Sequence, residues 1–381
     1  MRILVTDGED RAALAACRGL WRAGHTVAVA AGVQGAATHA SRACSARLVL
    51  PRSLSADEFV AALAAAVRRT RYDLLLPASD AALLAVSRSR ERLPSSLLRW
   101  LPPDETVVRT MQKAALIEHG ARAGFAVPDT ELCADRAQVH AAAAAFGFPV
   151  VVKPSMSIVR ARREAARIAS DRAQLDAALP FLGTPVLVQR FYERASVLSL
   201  AGVAANGRLV AVVTARWSRR WPPLDGAASF AETLAPPSSL VDRTEKLVGV
   251  LGWEGIFELE LLELGAETFV PVDFNPRPFG WMALALRAGA NLPAAWADAA
   301  RGIDSRPLVA RAGVRYRWED GDLKHLLWQL RRRHAGAAAA VLVPRRHVVH
   351  AYFELRDPRP LGAAFARVAG RALRRQLTRR E

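Results

Sequence analysis

Cysteine is scarce: Cys17, Cys44 and Cys133 are the only three in 381 residues. They lie far apart, form no CxxC pair and are odd in number, which excludes a disulfide framework and predicts a reduced, intracellular set. The opening MRILVTDGED has no apolar core of the kind a signal peptide needs. Long apolar runs are missing too. Ala141 to Val152 is interrupted by Gly147 and Pro149, short of the roughly 20 residues of a membrane span. A cytoplasmic protein is the expectation. Glycine is sparse at the first turn, where T-D-G-E-D carries one and a dinucleotide fingerprint would carry three, so a nicotinamide site is a weak reading. Lysine is few beside arginine, which gives each lysine at a motif position more weight.

With 51% hydrophobic and 23% charged residues, the chain is ordinary for a globular protein and unlike a disordered one. Its length predicts two or three packed units. The net charge of +17 is unevenly placed: Arg331 to Glu381 holds 13 arginines against Glu354, Asp357 and Glu381, a net +10, leaving +7 for the first 330 residues. The charge therefore describes a C-terminal region, and without interleaved aromatics or a recognised motif it predicts no specific nucleic-acid partner.

Arg2–Val5, a helical pattern over 11–23 and the β-like run 26–31 make a strand, helix, strand unit, which recurs as a helix over 56–69 and a strand over 74–77. A doubly wound α/β domain is expected over 1–105. Beyond it, 106–125 reads as one helix, 138–145 as another, and Val150-Val151-Val152 as a strand delivering Lys153. Hairpins are expected over 197–204 with 209–216, and over 256–262 with 268–274, giving an α+β region.

The strongest segment is GIFELELLELGAETFVPVDFNPRPFG, from Gly255. Alternation with period two puts Glu258 and Glu260 on one face of the first strand, and Asp273 and Asn275 on one face of the next. Paired as a hairpin, these oxygens converge into a hard-oxygen site suited to Mg²⁺ bridging phosphates. Arg277, between Pro276 and Pro278, is placed to face an anion there. For a lone strand glutamate a solvent-facing role would be the better reading.

The D-F-N-P-R run following an acid-bearing strand resembles the ATP-grasp superfamily, shared by biotin carboxylase, the large subunit of carbamoyl phosphate synthetase and the carboxylate-amine ligases. The resemblance covers roughly 1–300. It implies an N-terminal pre-ATP-grasp domain over 1–105, a small lobe over 106–185, a large lobe with the metal site over 186–302 and a basic extension over 303–381. It also implies ATP with Mg²⁺ (or Mn²⁺), a small-molecule carboxylate and a nucleophile as substrates, and an acyl phosphate intermediate. Carried over by position, Glu260, Asp273 and Asn275 are the metal ligands, with Glu258 the competing first acid. Arg277 and Asn275 are catalytic, and Lys113, Lys153, Gln189, Arg190 and Tyr192 hold the nucleotide.

The sequence departs from that pattern in two places. No glycine occurs between Lys153 and Leu182, where relatives carry a glycine-rich phosphate loop; Ser155, Ser157, Arg160, Arg162 and Arg163 stand there instead. Ser196 replaces the ribose acid, with Glu193 as a substitute. The segment R-W-S-R-R-W-P-P-L-D-G from Arg216 is expected as a loop whose Arg216, Arg219 and Arg220 receive a carboxylate beside Trp217 and Trp221. His347 and His350 are assigned no metal role. From Leu361 onward, Phe365, Val368 and Leu373 recur at helical spacing beside Arg367, Arg371, Arg374 and Arg375. This basic amphipathic helix either docks on the enzyme body or makes peripheral contact with an anionic membrane at its inner face. The rival to the ligase reading is a nucleotide-binding, membrane-associated accessory protein with a degenerate core. The sequence sets no oligomeric state.

Overall fold

The computed structural model describes residues 1–51, 54–156, 166–182, 185–193, 195–223, 226–265, 267–304 and 306–377. The chain begins with β1 (Arg2–Val5), α1 (Arg11–Arg22), β2 (Thr26–Ala31), β3 (Cys44–Val49), α2 (Ala56–Arg69), β4 (Leu74–Leu76) and α3 (Asp80–Arg88). The four strands form a parallel sheet in the order β3-β2-β1-β4. Ile3, Leu4, Val5 and Leu74 to Leu76 are buried, as strands covered on both faces must be. The edge strand β3 was not anticipated, because its polar Ser45 and Arg47 interrupt the apolar signal. The chain leaves β1 in one direction and reaches β4 on the other side, so the turns after β1 and β4 flank a crevice at the strands' carboxyl ends.

The helix expected over 106–125 is two: α4 (Asp104–Met111) and α5 (Lys113–Arg122). Gln112 between them is extended and forms a β-bridge with Met156. Next come β5 (Thr130–Cys133), α6 (Arg136–Phe146), β6 (Val150–Pro154), β7 (Arg167–Ala169), α7 (Arg172–Leu182) and β8 (Val186–Arg190). They build an antiparallel sheet in the order β5-β8-β6-β7 over a separate core that includes Val139, Val150, Val152, Leu175 and Val188. The small-lobe sheet thus runs to Arg190, past the boundary expected at 185.

The large sheet starts with β9 (Ser196–Ala205), β10 (Arg208–Trp221) and β11 (Ala227–Leu234), continues after α8 (Ser238–Leu251) with β12 (Gly255–Gly265) and β13 (Thr268–Asn275), and is followed by α9 (Met282–Arg287) and α10 (Leu292–Ala299). Both expected hairpins are present. Of the segment expected as a loop from Arg216, the stretch Arg216 to Trp221 is instead the end of β10, and β11 begins at Ala227. Within the C-terminal extension, β14 (Leu308–Val309), β15 (Arg315–Arg317), α11 (Glu319–Arg331), α12 (Ala335–Leu342) and β16 (Val348–His350) precede α13 (Arg359–Leu377). Here β15 and β16 lengthen the large sheet to the order β13-β12-β9-β10-β11-β15-β16, with β14 on β10.

Just before α13, Asp357 is buried against the first domain. It accepts hydrogen bonds from Arg18 Nε at 3.0 Å, Ser41 Oγ at 2.6 Å and the Arg42 backbone N–H at 3.0 Å. Burial raises this carboxyl's pKa, but Ser41, the Arg42 amide and the Arg18 charge outweigh it and hold the group below its usual range. Further along, Arg367 Nη1 donates to the Glu9 carbonyl at 3.1 Å. Among the described residues no helix is long and apolar enough to cross a membrane.

Candidate active site

In the β12–β13 ladder, Glu260 lies opposite Asp273 and Glu258 opposite Asn275. The period-two reading therefore places all four groups as expected on one face. The two glutamates nevertheless differ in surroundings. Glu258 is buried and accepts from Ser199 Oγ at 3.2 Å, from Asn275 Nδ2 at 3.2 Å and from Trp281 Nε1. Burial first, and the neighbouring Glu260 second, push its pKa up to about 8. A carboxyl so protected is a poor competitor for a cation, whereas Glu260 is only half-buried.

Register shifts between Glu260 and Leu261, where Val272 drops out of the ladder. The Val272 carbonyl accepts from Lys153 Nζ at 3.0 Å. Lys153, at the end of β6, is 5% exposed. Burial, then the nearby Lys113, lower its pKa to about 7, against the pull of Asp273 and Glu260. Lys113 opens α5; its ammonium meets Asp273 Oδ1 at 2.5 Å, and its backbone N–H donates to the Ser155 carbonyl at 2.9 Å. The break at Gln112 thus aims this lysine at β13.

Arg277 is buried and held within the protein. Its Nε and Nη2 donate to the two oxygens of Asp80 at 2.7 and 3.0 Å, and Nη1 donates to the Pro278 carbonyl at 3.0 Å. Burial works against the charge, but Asp80 outweighs it and drives the pKa above its ordinary value. Nη2 also donates to Asn275 Oδ1 at 3.0 Å. A guanidinium only donates, so this contact fixes the amide's orientation and turns Nδ2 towards Glu258 and towards Glu260, 3.0 Å away.

At the other end, Gln189 is buried on β8 and donates to Thr130 Oγ1 at 2.7 Å. Arg190 pairs with Asp129 at 2.7 Å. Tyr192 follows, its phenol pKa raised by burial. One cavity of about 820 Å³ is lined by all nine predicted site residues, Lys113, Lys153, Gln189, Arg190, Tyr192, Glu260, Asp273, Asn275 and Arg277, and by Glu193. Of the arginines proposed to receive a carboxylate, Arg216 pairs with Glu263 and Arg219 with Asp322, and Arg220 lines the cavity with Trp217. Ser157, Arg160, Arg162 and Arg163 lie outside the described residues.

Sequence reasoning missed Asp80 and Arg11. Asp80 opens α3 where β4 ends, beside the topological switch of the first sheet; that position was the available signal. Arg11 Nε donates to the Gly280 carbonyl at 3.0 Å while its guanidinium lies 3.8 Å over the Trp318 ring. A Cβ on Gly280 would stand 2.5 Å from Arg11 Nη2, so a larger residue there would push the guanidinium out of this place.

Two sheets that face each other across this cleft, behind a parallel α/β domain, match known structures along most of the chain. The chain has the ATP-grasp fold. Staphylococcus aureus N5-carboxyaminoimidazole synthetase complexed with ADP aligns with a TM-score of 0.66 at 12% identity, covering 88% of this chain and 86% of that one. Biotin carboxylase from Campylobacter jejuni, as its β,γ-ATP complex, aligns at 0.63 with 15% identity, covering 82% and 74%. An L-amino acid ligase from Bacillus licheniformis aligns at 0.59 with 14% identity, covering 79% and 74%. No protein-family model matches the sequence, and no curated protein is significantly similar to it.

Among the described residues no three His, Cys, Asp or Glu side chains are grouped to hold a metal by themselves. Glu260 and Asp273 face each other across one strand pair, a two-carboxylate site that leaves most of the shell to phosphate and water, while Asn275 Nδ2 donates to Glu260. That fits a magnesium ion bound together with a polyphosphate.

Proposed function

We propose that this chain is an ATP- and Mg²⁺-dependent ligase that activates a carboxylate as an acyl phosphate for attack by an amine. The observation that carries the reading is the Glu260–Asp273 pair on neighbouring strands, with Lys113 and Lys153 beside it in one cavity. The ADP and ATP-analogue complexes of the structurally similar enzymes support a nucleotide in the same cleft. Glu260 and Asp273 would hold the ion, while Asn275, expected as a third ligand, would steady Glu260 through Nδ2 with its carbonyl oxygen held by Arg277; the ion would supply positive charge to the phosphate oxygens.

The protein's own part is placement. Gln189, Arg190 and Tyr192 would hold the base at the exit of β8, and Lys153 and Lys113 would meet phosphate charge as compact donors. A substrate carboxylate oxygen attacks the γ-phosphorus as the bond to ADP breaks. The amine nitrogen then attacks the acyl carbon, phosphate departs, and the nitrogen gives up a proton. Arg277, gripped by Asp80 and touching Asn275, is best read as orienting the amide. The rival reading, an accessory protein that binds nucleotide without turnover, draws on the glycine-free segment after Lys153. The intact acid pair counts against it. Calorimetry with MgADP, followed by ADP release across a panel of carboxylates and amines, tests the proposal: binding with turnover supports it, binding without turnover favours the rival, and no binding overturns both.

A further inference from the structure

The cavity has aromatic walls around Gly280, where Trp281 Nε1 donates to Glu258 and Arg11 joins the Gly280 carbonyl to the Trp318 ring. Trp217 from β10, Trp281 before α9, Trp318 before α11, Tyr352 after β16, and Phe365 and Val368 from α13 all line it. Phe365 is 41% and Val368 39% exposed, so apolar surface on the C-terminal helix is turned towards the cavity. Large apolar groups left uncovered beside a cleft mark a place where a ligand is desolvated.

Charged groups beside these walls are mostly spent within the protein. Glu319 accepts the backbone N–H groups of Ala351, Tyr352 and Phe353. Lys324 pairs with Asp320 at 2.8 Å, Arg11 is held between Gly280 and Trp318, and Arg367 is tied to the Glu9 carbonyl. What these walls add to the cavity is ring and aliphatic surface. The acid pair that would handle the reacting phosphate lines the same cavity.

We propose that this part of the cavity is the substrate chamber, that α13 is its outer wall, and that it takes a carboxylate bearing an aromatic body. The inference rests on the ligase reading for the direction in which the carboxylate points. The helix cannot easily leave the chamber, because Asp357 fixes its approach to the first domain through Arg18, Ser41 and Arg42. An aryl group against these walls gains by burial what a short aliphatic acid cannot.

The test uses the full chain with MgADP bound and titrates 3-phenylpropionate and acetate by calorimetry, for the wild type and for Phe365→Asp and Val368→Asp. Both positions are well exposed, and thermal melts check that the variants fold. The expected result is 3-phenylpropionate bound at least roughly tenfold more tightly than acetate, as burial of a phenyl ring implies, with that preference lost in both variants while MgADP affinity stays unchanged. Equal binding of the two acids, or a preference that survives both substitutions, overturns the chamber while leaving the nucleotide site intact. Failure of the wild type to bind MgADP overturns the ligase reading and this inference with it. A parallel sedimentation with anionic vesicles separates the other use of this face: variants that lose vesicle binding yet keep the 3-phenylpropionate preference would assign Phe365 and Val368 to lipid and overturn the proposal.

Discussion

Asp80, at the first turn of α3, holds Arg277 by both carboxylate oxygens across 197 positions of sequence. Both partners are buried, so the pair is a strong link between the first domain and the strand pair that carries the acids. Removing one member of a buried ion pair leaves the other charge without compensation and costs about 3–5 kcal/mol. Asp80→Ala is expected to lower the thermal midpoint and to weaken MgADP binding, because the Asn275 amide loses its anchor. Asp80→Glu, which keeps the charge, should recover part of the binding. Unchanged MgADP affinity in Asp80→Ala, measured by calorimetry, would show that Arg277 orients nothing.

Glu260 and Asp273 should each be needed for turnover, and Glu258 should not serve in their place. With Glu260→Ala or Asp273→Ala, ADP formation is expected to fall roughly a hundredfold or more, the scale of losing a charge clamp at a reacting phosphoryl group. Near-normal rates in both variants would refute the metal assignment.

Lys153 gives nucleotide binding a pH dependence with a definite sign. In the free protein its ammonium is held at a pKa of about 7 by burial and by Lys113, against Asp273 and Glu260. At pH 8 it is therefore largely neutral. A polyphosphate beside it favours the charged form, so binding takes up a proton, and affinity falls as the pH rises from about 7 to 9. Calorimetry at pH 8 in buffers of different ionisation heat should show this uptake in the wild type and its loss in Lys153→Met. Heats independent of buffer would contradict it.

How much of this was readable in advance depended on distance along the chain. The Glu260–Asp273 pair was legible because alternation within two adjacent strands fixes which side chains share a face, and Lys153 because a β-branched run ends at it. Strand β11 was hidden by the Pro222-Pro223 and Asp225-Gly226 punctuation before it, which reads as loop. The Asp80 grip on Arg277 and the placing of Phe365 beside the cleft join residues hundreds of positions apart, and no local pattern encodes such a meeting. An arginine next to an N-P-R asparagine suggests an anion ligand, and one anion it meets here is a carboxylate of the protein itself, which no local pattern announced.

Gly280 offers a smaller test of packing. Adding a methyl group there pushes against Arg11 Nη2, and displacing the guanidinium costs its stacking on Trp318 and its hydrogen bond to the Gly280 carbonyl. Gly280→Ala should destabilise the protein by about 1–3 kcal/mol. In an Arg11→Ala background the same change should cost clearly less, because the clash is gone. Additive losses in chemical denaturation would show that the two residues do not constrain each other.

The fastening of Asp357 to Arg18, Ser41 and Arg42 has a consequence for the order in which the molecule is made. A ribosome releases the first domain, both lobes and the acid pair long before it releases residues 357–368. Until those residues emerge, the first domain lacks the anion that Arg18 is built to meet, and the cleft lies open on the side that α13 covers. Synthesis of residues 357–368 thus acts as a latch: a nascent chain already has its acid pair but not yet a closed room around it.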